Sequence, residues 1–369
     1  MNDELVIGML SGTSRDGVDA VLVNFNNHAM DILHAGCTPY PVAIKQTLDQ
    51  LLVTGQPPGK QLSELLNDNL GRFFARVAQN LVRETGMEMR DITAIGSHGQ
   101  NVWHQPSGDR PQTIQLGSGR LMARNTGTTV VNNFRAADLE AGGQGAPLAP
   151  LLHQQLFHSR EENRAILNIG GIANLTLLPS SGATRGFDSG PGNCLMDAWT
   201  QRHLNQDYDK GGQWAAKGTV HIELLNHLLE EPYFSLPTPK STGLELFSLQ
   251  WLESHLCHFD IEPADVQATL AELTVTSVAD SLQQQMQADR LLVCGGGVHN
   301  HRLMRRLAAR LPDTVVESTT RLGADPDWLE GLLFAWLARQ RLQGKPLDTR
   351  AITGAEKPVL LGEIHHPPD

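Results

Sequence analysis

Apolar residues open the chain in short runs broken by small polar ones. Leu5–Met9 reads as a buried strand, Ala20–Phe25 as a second and Ile32–Cys37 as a third. Only the small, Gly-rich stretch Ser11–Gly17 separates the first two, so they are expected to pair as an antiparallel hairpin. The period then changes. Leu65, Leu66, Leu70, Phe73, Phe74, Val77, Leu81 and Val82 recur at helical spacing, which predicts a long helix with Ser63 as its cap. Ile92–Gly96 returns as a strand and runs directly into Ser97-His98-Gly99-Gln100.

The second half repeats this grammar. Ala165–Ile169 and Ala173–Leu178 form another strand–loop–strand unit through Gly170-Gly171, and Arg290–Cys294 is a strand entering Gly295-Gly296-Gly297. A helix is expected from about Asn300 to Leu311, a strand over Thr314–Glu317 and a closing helix over Trp328–Arg341. Two halves that each start with an apolar hairpin predict a duplicated α/β fold in two lobes. The boundary is expected near Val130, after the polar stretch Arg124–Thr129.

Composition narrows the classes. The chain has 369 residues, 40% hydrophobic, enough for two domains with real cores. Its 29 Lys and Arg against 40 Asp and Glu give a net charge of −11, which argues against nucleic-acid partners. It does not exclude an anionic ligand held by a loop of backbone amides. The start MNDELVIGML carries two acids where a signal peptide needs positive charge, and no apolar run is long enough for a membrane span. The cysteines Cys37, Cys194, Cys257 and Cys294 form no Cys-x-x-Cys pair, so they are expected to be reduced, buried thiols in the cytoplasm.

Five segments hold candidate chemistry. In Ser11-Gly12-Thr13-Ser14-Arg15-Asp16-Gly17-Val18-Asp19, the glycines let the backbone approach a phosphate, the hydroxyls donate, and Asp16 or Asp19 suits a hydrated Mg²⁺. It is neither a Walker loop nor a Rossmann fingerprint, because no Gly-Lys-Ser/Thr follows and the next element is a strand. The plain alternative is a polar hairpin turn. In Gly186–Asn193, Asp188 precedes Gly190 and Gly192, a setting that suits a general base but equally an Asp-initiated turn. Ser97–His104 offers His98, Gln100 and Trp103 as a sugar-binding edge, although a lone histidine is more often structural. Arg135 is a candidate clamp for a carboxylate, with a plain ion pair as the alternative. Glu330 opens an apolar helix, where an acid is ordinary for dipole reasons.

Taken together, GMLSGTSRDGVDAVL, IGSHGQNVWHQP, NFRAADLEAGGQGAPLAP, LNIGGIANLTLL, GFDSGPGNCLMDAW, KSTG, DVQATLAELT and VCGGGVHN resemble the anhydro-N-acetylmuramic acid kinase family. The resemblance implies a two-lobed actin/hexokinase-like (ribonuclease H-like) fold with a nucleotide cleft between lobes. Lobe I would be 1–130 joined by 347–369, and lobe II 131–346. It implies ATP and Mg²⁺, 1,6-anhydro-N-acetylmuramic acid as substrate, a role in cell-wall recycling and a homodimer.

Residue by residue, Gly12 through Asp19 match the ATP-phosphate loop, and Asp188 matches the catalytic base. His98, Gln100, Arg135 and Glu330 match positions around the sugar. Gly170 and Gly171, with Gly295, Gly296, Gly297 and Asn300, fall on the nucleotide side. The chain departs from the family pattern at Arg15, Ser118, Asn133 and, mildly, Ser189. Two rival readings are an ordinary sugar kinase that opens no ring and a non-catalytic nucleotide-gated module.

Overall fold

In a computed structural model of the chain, residues 4–12, 17–26, 29–53, 56–106, 108 and 111–368 are described. The chain divides into two compact units, Met1–Leu152 with Glu330–Asp369, and His153–Leu329. The expected boundary near Val130 is corrected. Val130–Asn132 forms a strand of the first unit's own sheet, and the chain leaves that unit only after Leu152. The return also comes earlier than 347, because the helix Leu329–Leu342 packs on that sheet.

The first unit holds β1 (Glu4–Ser11), β2 (Gly17–Asn26), β3 (Ala29–Pro39), β4 (Ala94–Gln105), β5 (Gln112–Leu116) and β6 (Val130–Asn132). The second holds β7 (Arg164–Ile169), β8 (Ile172–Leu178), β9 (Arg185–Pro191), β10 (Arg290–Cys294) and β11 (Val315–Ser318), while β12 (Glu363–His365) returns to the first. The first sheet runs β12-β6-β4-β1-β2-β3, with β5 against β4, and the second runs β11-β10-β7-β8-β9.

The two sheets share a five-strand order, to which the first adds β5 and β12. In each, three strands meander antiparallel, a fourth joins the first of them in parallel and a fifth joins the fourth in parallel: β1, β2, β3 then β4 and β6, against β7, β8, β9 then β10 and β11. This duplicated order is the ribonuclease H-like arrangement, and its geometry decides where chemistry can sit. Strands β1, β3, β4 and β6 point one way, as do β7, β9, β10 and β11, so the loops at their carboxyl ends gather along one edge of each sheet, the usual ligand edge of parallel sheets.

Helix Lys60–Glu84 buries Leu66, Leu70, Phe73, Phe74, Val77, Leu81 and Val82 in the first core. Leu65, expected on this face, is instead 59% exposed. Ser63 is no cap, because the helix starts three residues earlier behind Gly59, whose carbonyl accepts from the Ser63 N–H at 2.9 Å. In the second unit, helix Pro263–Gln285 is buried on nearly every side, polar Gln267 and Thr274 included. Of the cysteines, Cys294 is buried and Cys194 half-buried, but Cys37 and Cys257 are exposed, against expectation; none is disulfide-bonded. No described helix is long and apolar enough to cross a membrane.

Candidate functional site

In the first unit, β1 ends at Ser11 and β2 begins at Gly17, so the phosphate-loop candidates hang from the carboxyl end of β1. Thr13, Ser14, Arg15 and Asp16 lie outside the described residues. The base of the loop is tied: the Ser11 hydroxyl lies 2.8 Å from the Gly17 carbonyl and 2.7 Å from Gln100 Oε1. Gln100 Oε1 also accepts from the Tyr40 hydroxyl at 3.3 Å, and its Nε2 donates to the carbonyls of Asn101 (3.1 Å) and Gly12 (3.5 Å). Gln100 is 1% exposed, so these bonds make it a brace for the Gly12 turn. Val18 is buried, and Asp19 is half-buried on β2.

His98, Arg135 and Glu330 converge nearby. Arg135 follows the carboxyl end of β6. Its Nε donates to His98 Nε2 at 2.9 Å and its Nη1 to the Gly145 carbonyl at 2.7 Å. That carbonyl is held in turn by buried Asp138, whose Oδ2 accepts from the Gly145 N–H at 2.7 Å while Oδ1 accepts from Thr353 Oγ1 at 2.8 Å. A histidine nitrogen that accepts from a guanidinium carries no proton, so His98 is neutral with its proton on Nδ1, 3.2 Å from the Gly99 carbonyl. Burial and the Arg135 charge both push the His98 pKa well down. The same two causes bring His104 to about 4. Burial lowers Arg135 itself to about 10, opposed by Glu330 and Asp138, and leaves it cationic at neutral pH.

The helix that opens with Glu330 reaches the sheet because three glycines permit it. A Cβ at Gly8 on β1 or Gly96 on β4 would collide with the carbonyls of Gly331 and Phe334, and one at Gly331 would press on Val21. The close approach stacks Phe334 on His98 with ring centroids 4.7 Å apart. Glu330 is open to solvent though crowded by protein atoms. That crowding and the Asp19 charge raise its pKa against the pull of Arg135, and water contact damps the rise.

In the second unit, Asp188 sits near the carboxyl end of β9, where the ladder to β8 slips. Asn174 pairs with Asp188 and Ala173 with Gly190, so Ser189 bulges out of register. The flanking segment fixes the carboxylate. The Thr242 N–H donates to Asp188 Oδ2 at 3.0 Å, the Asp188 N–H to the Lys240 carbonyl at 2.9 Å, and the Tyr233 hydroxyl to the Asp188 carbonyl at 2.8 Å. Lys240 does not neutralise it, because its Nζ donates to the carbonyls of Tyr233 and Phe234, both at 3.0 Å. Half-buried and without an ion-pair partner among the described residues, Asp188 is raised by burial from 3.8 to about 6, less the effect of the Thr242 bond.

The glycines of this unit cluster at the ends of β7 and β10. Gly192 and Asn193 donate their N–H groups to the carbonyls of Gly171 (2.9 Å) and Gly170 (2.8 Å). Gly295 has φ +74°, and a Cβ there would strike Asn168; one at Gly297 would strike Ile169. At Gly170, Gly171 and Gly296 a Cβ would make only ordinary van der Waals contacts, none nearer than 3.4 Å. Asn300 caps helix His301–Arg310, its Oδ1 accepting from the N–H of Arg302 (3.1 Å) and Leu303 (3.2 Å). Gly212 packs so tightly on that oxygen that it admits no side chain.

Sequence reasoning missed several participants. Asp138, Phe334 and Gly145 shape the Arg135 site without carrying a chemical signature. Thr242 and Lys240 lie in KSTG, a segment quoted for its resemblance but given no role, and Gly211-Gly212 was a readable turn signal left unused. Two of the departures also find local roles. Ser118 caps helix Gly119–Thr126 by accepting from the Leu121 N–H at 3.3 Å, and Asn133, at φ +53°, donates to Glu363 Oε1 at 2.6 Å. Asn is among the few side chains that tolerate that backbone region.

A repeated ribonuclease H-like unit, with glycine turns at its strand ends and an unpaired carboxylate beside them, defines the actin–hexokinase class of phosphotransferase folds. Within that class, the chain belongs to the anhydro-N-acetylmuramic acid kinase family, whose model matches residues 4–367. A curated anhydro-N-acetylmuramic acid kinase of Xylella fastidiosa (strain Temecula1) is 47% identical over 365 residues, covering 98% of this chain and 96% of the relative. Among solved structures, the activator of 2-hydroxyisocaproyl-CoA dehydratase from Clostridium difficile, with bound ADPNP, aligns at 13% identity and TM-score 0.46 over 92% of this chain and 97% of that one. A ROK family glucokinase from Streptomyces griseus, in complex with glucose and AMPPNP, aligns at 15% identity and TM-score 0.42 over 91% and 99%.

Proposed function

We propose that the protein opens 1,6-anhydro-N-acetylmuramic acid with water and phosphorylates its O6 with ATP, giving N-acetylmuramic acid 6-phosphate for cell-wall recycling. The observation that carries this reading is Asp188: a half-buried carboxylate with no ion-pair partner among the described residues, one oxygen held by a backbone N–H, and a pKa near 6. Such a group is mostly ionised at neutral pH yet remains basic enough to take a proton from water. A carboxylate locked in a salt bridge would be a poor base.

Asp188 accepts a proton from water as the water oxygen bonds to the anomeric carbon. The bridge bond from that carbon to O6 breaks, and the electron pair goes to O6. O6 then bonds to the γ-phosphorus and ADP leaves, while the Asp188 proton returns to solvent. Arg135, aimed by His98 and Gly145, binds the sugar acid's carboxylate, and Glu330 lies beside it. In the first unit the Gly12 to Gly17 loop, and in the second the turns at Gly170, Gly171 and Gly295 to Gly297, offer backbone amides to phosphates, because glycine turns let an anion approach the main chain closely.

Mg²⁺ fits the negative spot that Asp19 makes beside Glu330, and would be held by Asp19, by Asp16 through water and by the nucleotide's phosphates. When bound, it neutralises charge gathering on the transferring phosphoryl group. A homodimer in the cytoplasm completes the reading.

The test is incubation with the anhydro sugar and ATP, followed by mass spectrometry. A product heavier than the substrate by a phosphoryl group plus one water supports the reading. A gain of phosphoryl alone would mark a kinase that opens no ring, and tight nucleotide binding without any phosphosugar would mark a non-catalytic module.

A further inference from the structure

Away from these residues, helices Ile222–Leu229 and Leu249–Leu256 in the second unit bring two histidines together. His227 Nε2 and His255 Nδ1 lie 3.1 Å apart, with ring centroids 4.9 Å apart and planes at 70°. Two imidazole nitrogens on one tetrahedral Zn²⁺, each about 2.0–2.1 Å from the ion, stand roughly 3.3 Å apart, so the pair needs only a small opening to admit a metal.

Surroundings favour this over a chance pair. Glu230 Oε2 lies 3.4 Å from His227 Nδ1, the outer nitrogen, which puts negative charge beside the pair. Trp251 packs on His255 at 4.6 Å and donates through Nε1 to Glu231 Oε2 at 2.9 Å, which anchors one wall. Two carboxylates, Glu230 and Glu231, thus supply negative charge next to two neutral donors.

We propose that His227 and His255 form a two-histidine site for a borderline divalent ion such as Zn²⁺, flanked by Glu230, with water as the remaining ligands. Among the described residues no group of three His, Cys, Asp or Glu side chains is placed to hold a metal. On binding, the proton that His255 Nδ1 shares with His227 moves to His255 Nε2, so the tautomer changes and no net proton is released. The ion would clip together two helices that frame residues 230–248, the segment carrying Tyr233, Lys240 and Thr242 against Asp188.

Titration calorimetry of Zn²⁺ into the full, metal-stripped, nucleotide-free chain tests it. Wild type takes up one ion saturably at micromolar concentration. His227→Gln and His255→Gln each weaken uptake at least tenfold, and Glu230→Gln weakens it about tenfold, the usual reach of an outer partner. Cu²⁺ bound to wild type shows nitrogen coupling from two imidazoles in its paramagnetic resonance spectrum, reduced in His255→Gln. Uptake equal in all four proteins, or no saturable uptake by wild type, overturns the proposal and leaves a plain hydrogen bond. Should the histidine variants fail to fold, the exposed Glu230→Gln and the wild-type copper spectrum still decide.

Discussion

Replacing Asp188 with Asn separates the base from its scaffold. The amide is nearly isosteric, its oxygen can accept the Thr242 N–H as Oδ2 does at 3.0 Å, and the main-chain bonds to Lys240 and Tyr233 are untouched. What disappears is the capacity to take a proton from water. Removing a positioned base costs about 10² to 10⁴ in turnover, or ~2.7–5.5 kcal/mol in the barrier. Affinity for ATP and for the sugar should change little.

Stability should move the other way. A carboxyl raised from 3.8 to about 6 binds its proton more tightly in the folded state, so its contribution is most favourable below about pH 4 and declines as pH climbs to about 6. Above that, the ionised group costs the fold about 3 kcal/mol as an upper figure, reduced by its partial contact with water. Asn carries no such cost. The variant is therefore expected to melt a few degrees above wild type at pH 8, with the gap closing toward pH 4. The assays are steady-state phosphosugar formation from pH 5 to 9 and thermal melts from pH 4 to 8. Wild-type kcat/KM should fall about tenfold per pH step below 6. Near-normal turnover by Asp188→Asn, or an acid limb unchanged in the variant, would remove Asp188 from the role.

Arg135→Lys keeps the charge but loses the fork that meets His98 and Gly145 together; KM for the sugar should rise about thirtyfold, ~2 kcal/mol, with a smaller change in kcat, read by initial rates. Asp138→Ala strands the buried Gly145 N–H and leaves the Thr353 hydroxyl only the Thr349 carbonyl, so denaturant unfolding should report a loss of about 2 kcal/mol. Gly295→Ala forces a side chain onto a backbone at φ +74° and against Asn168; nucleotide affinity, followed with a fluorescent ATP analogue, should drop at least tenfold.

The strands were legible because they are apolar runs closed by glycine, and the twin hairpins already implied duplication. Arg290–Cys294 is a strand as read. The boundary was not legible, because Val130–Asn132 is a three-residue strand whose partners are β4 and β12, and pairing across such distances leaves no local trace. Ser63 misled because a serine in the first helical turn looks the same in sequence as one just before it. Resemblance named Asp188 and Arg135, but it could not say what holds them. Apart from the His98 ring, their supports are main-chain groups, the Thr242 N–H and the Gly145 carbonyl, and a main-chain group has no residue type by which to be recognised.

That dependence on supports explains how so acidic a chain can hold one positive charge ready for the proposed sugar acid. Charges more than a Debye length of about 8 Å away are largely screened, so recognition is settled by the groups inside that distance. Around Arg135 the two histidines are held neutral, His98 well below its ordinary value and His104 at about 4, so neither adds charge as pH varies through the neutral range. Asp138 is committed to Gly145 and Thr353 and takes no part in neutralising the guanidinium at hydrogen-bond range. Glu330 and Asp188 both titrate later than ordinary carboxyls. From about pH 7 to 8 the two histidines stay neutral, Arg135 stays cationic and Asp188 is mostly ionised. A cation, two neutral rings and an ionised base are the set the proposed reaction needs, and burial rather than overall charge selects it.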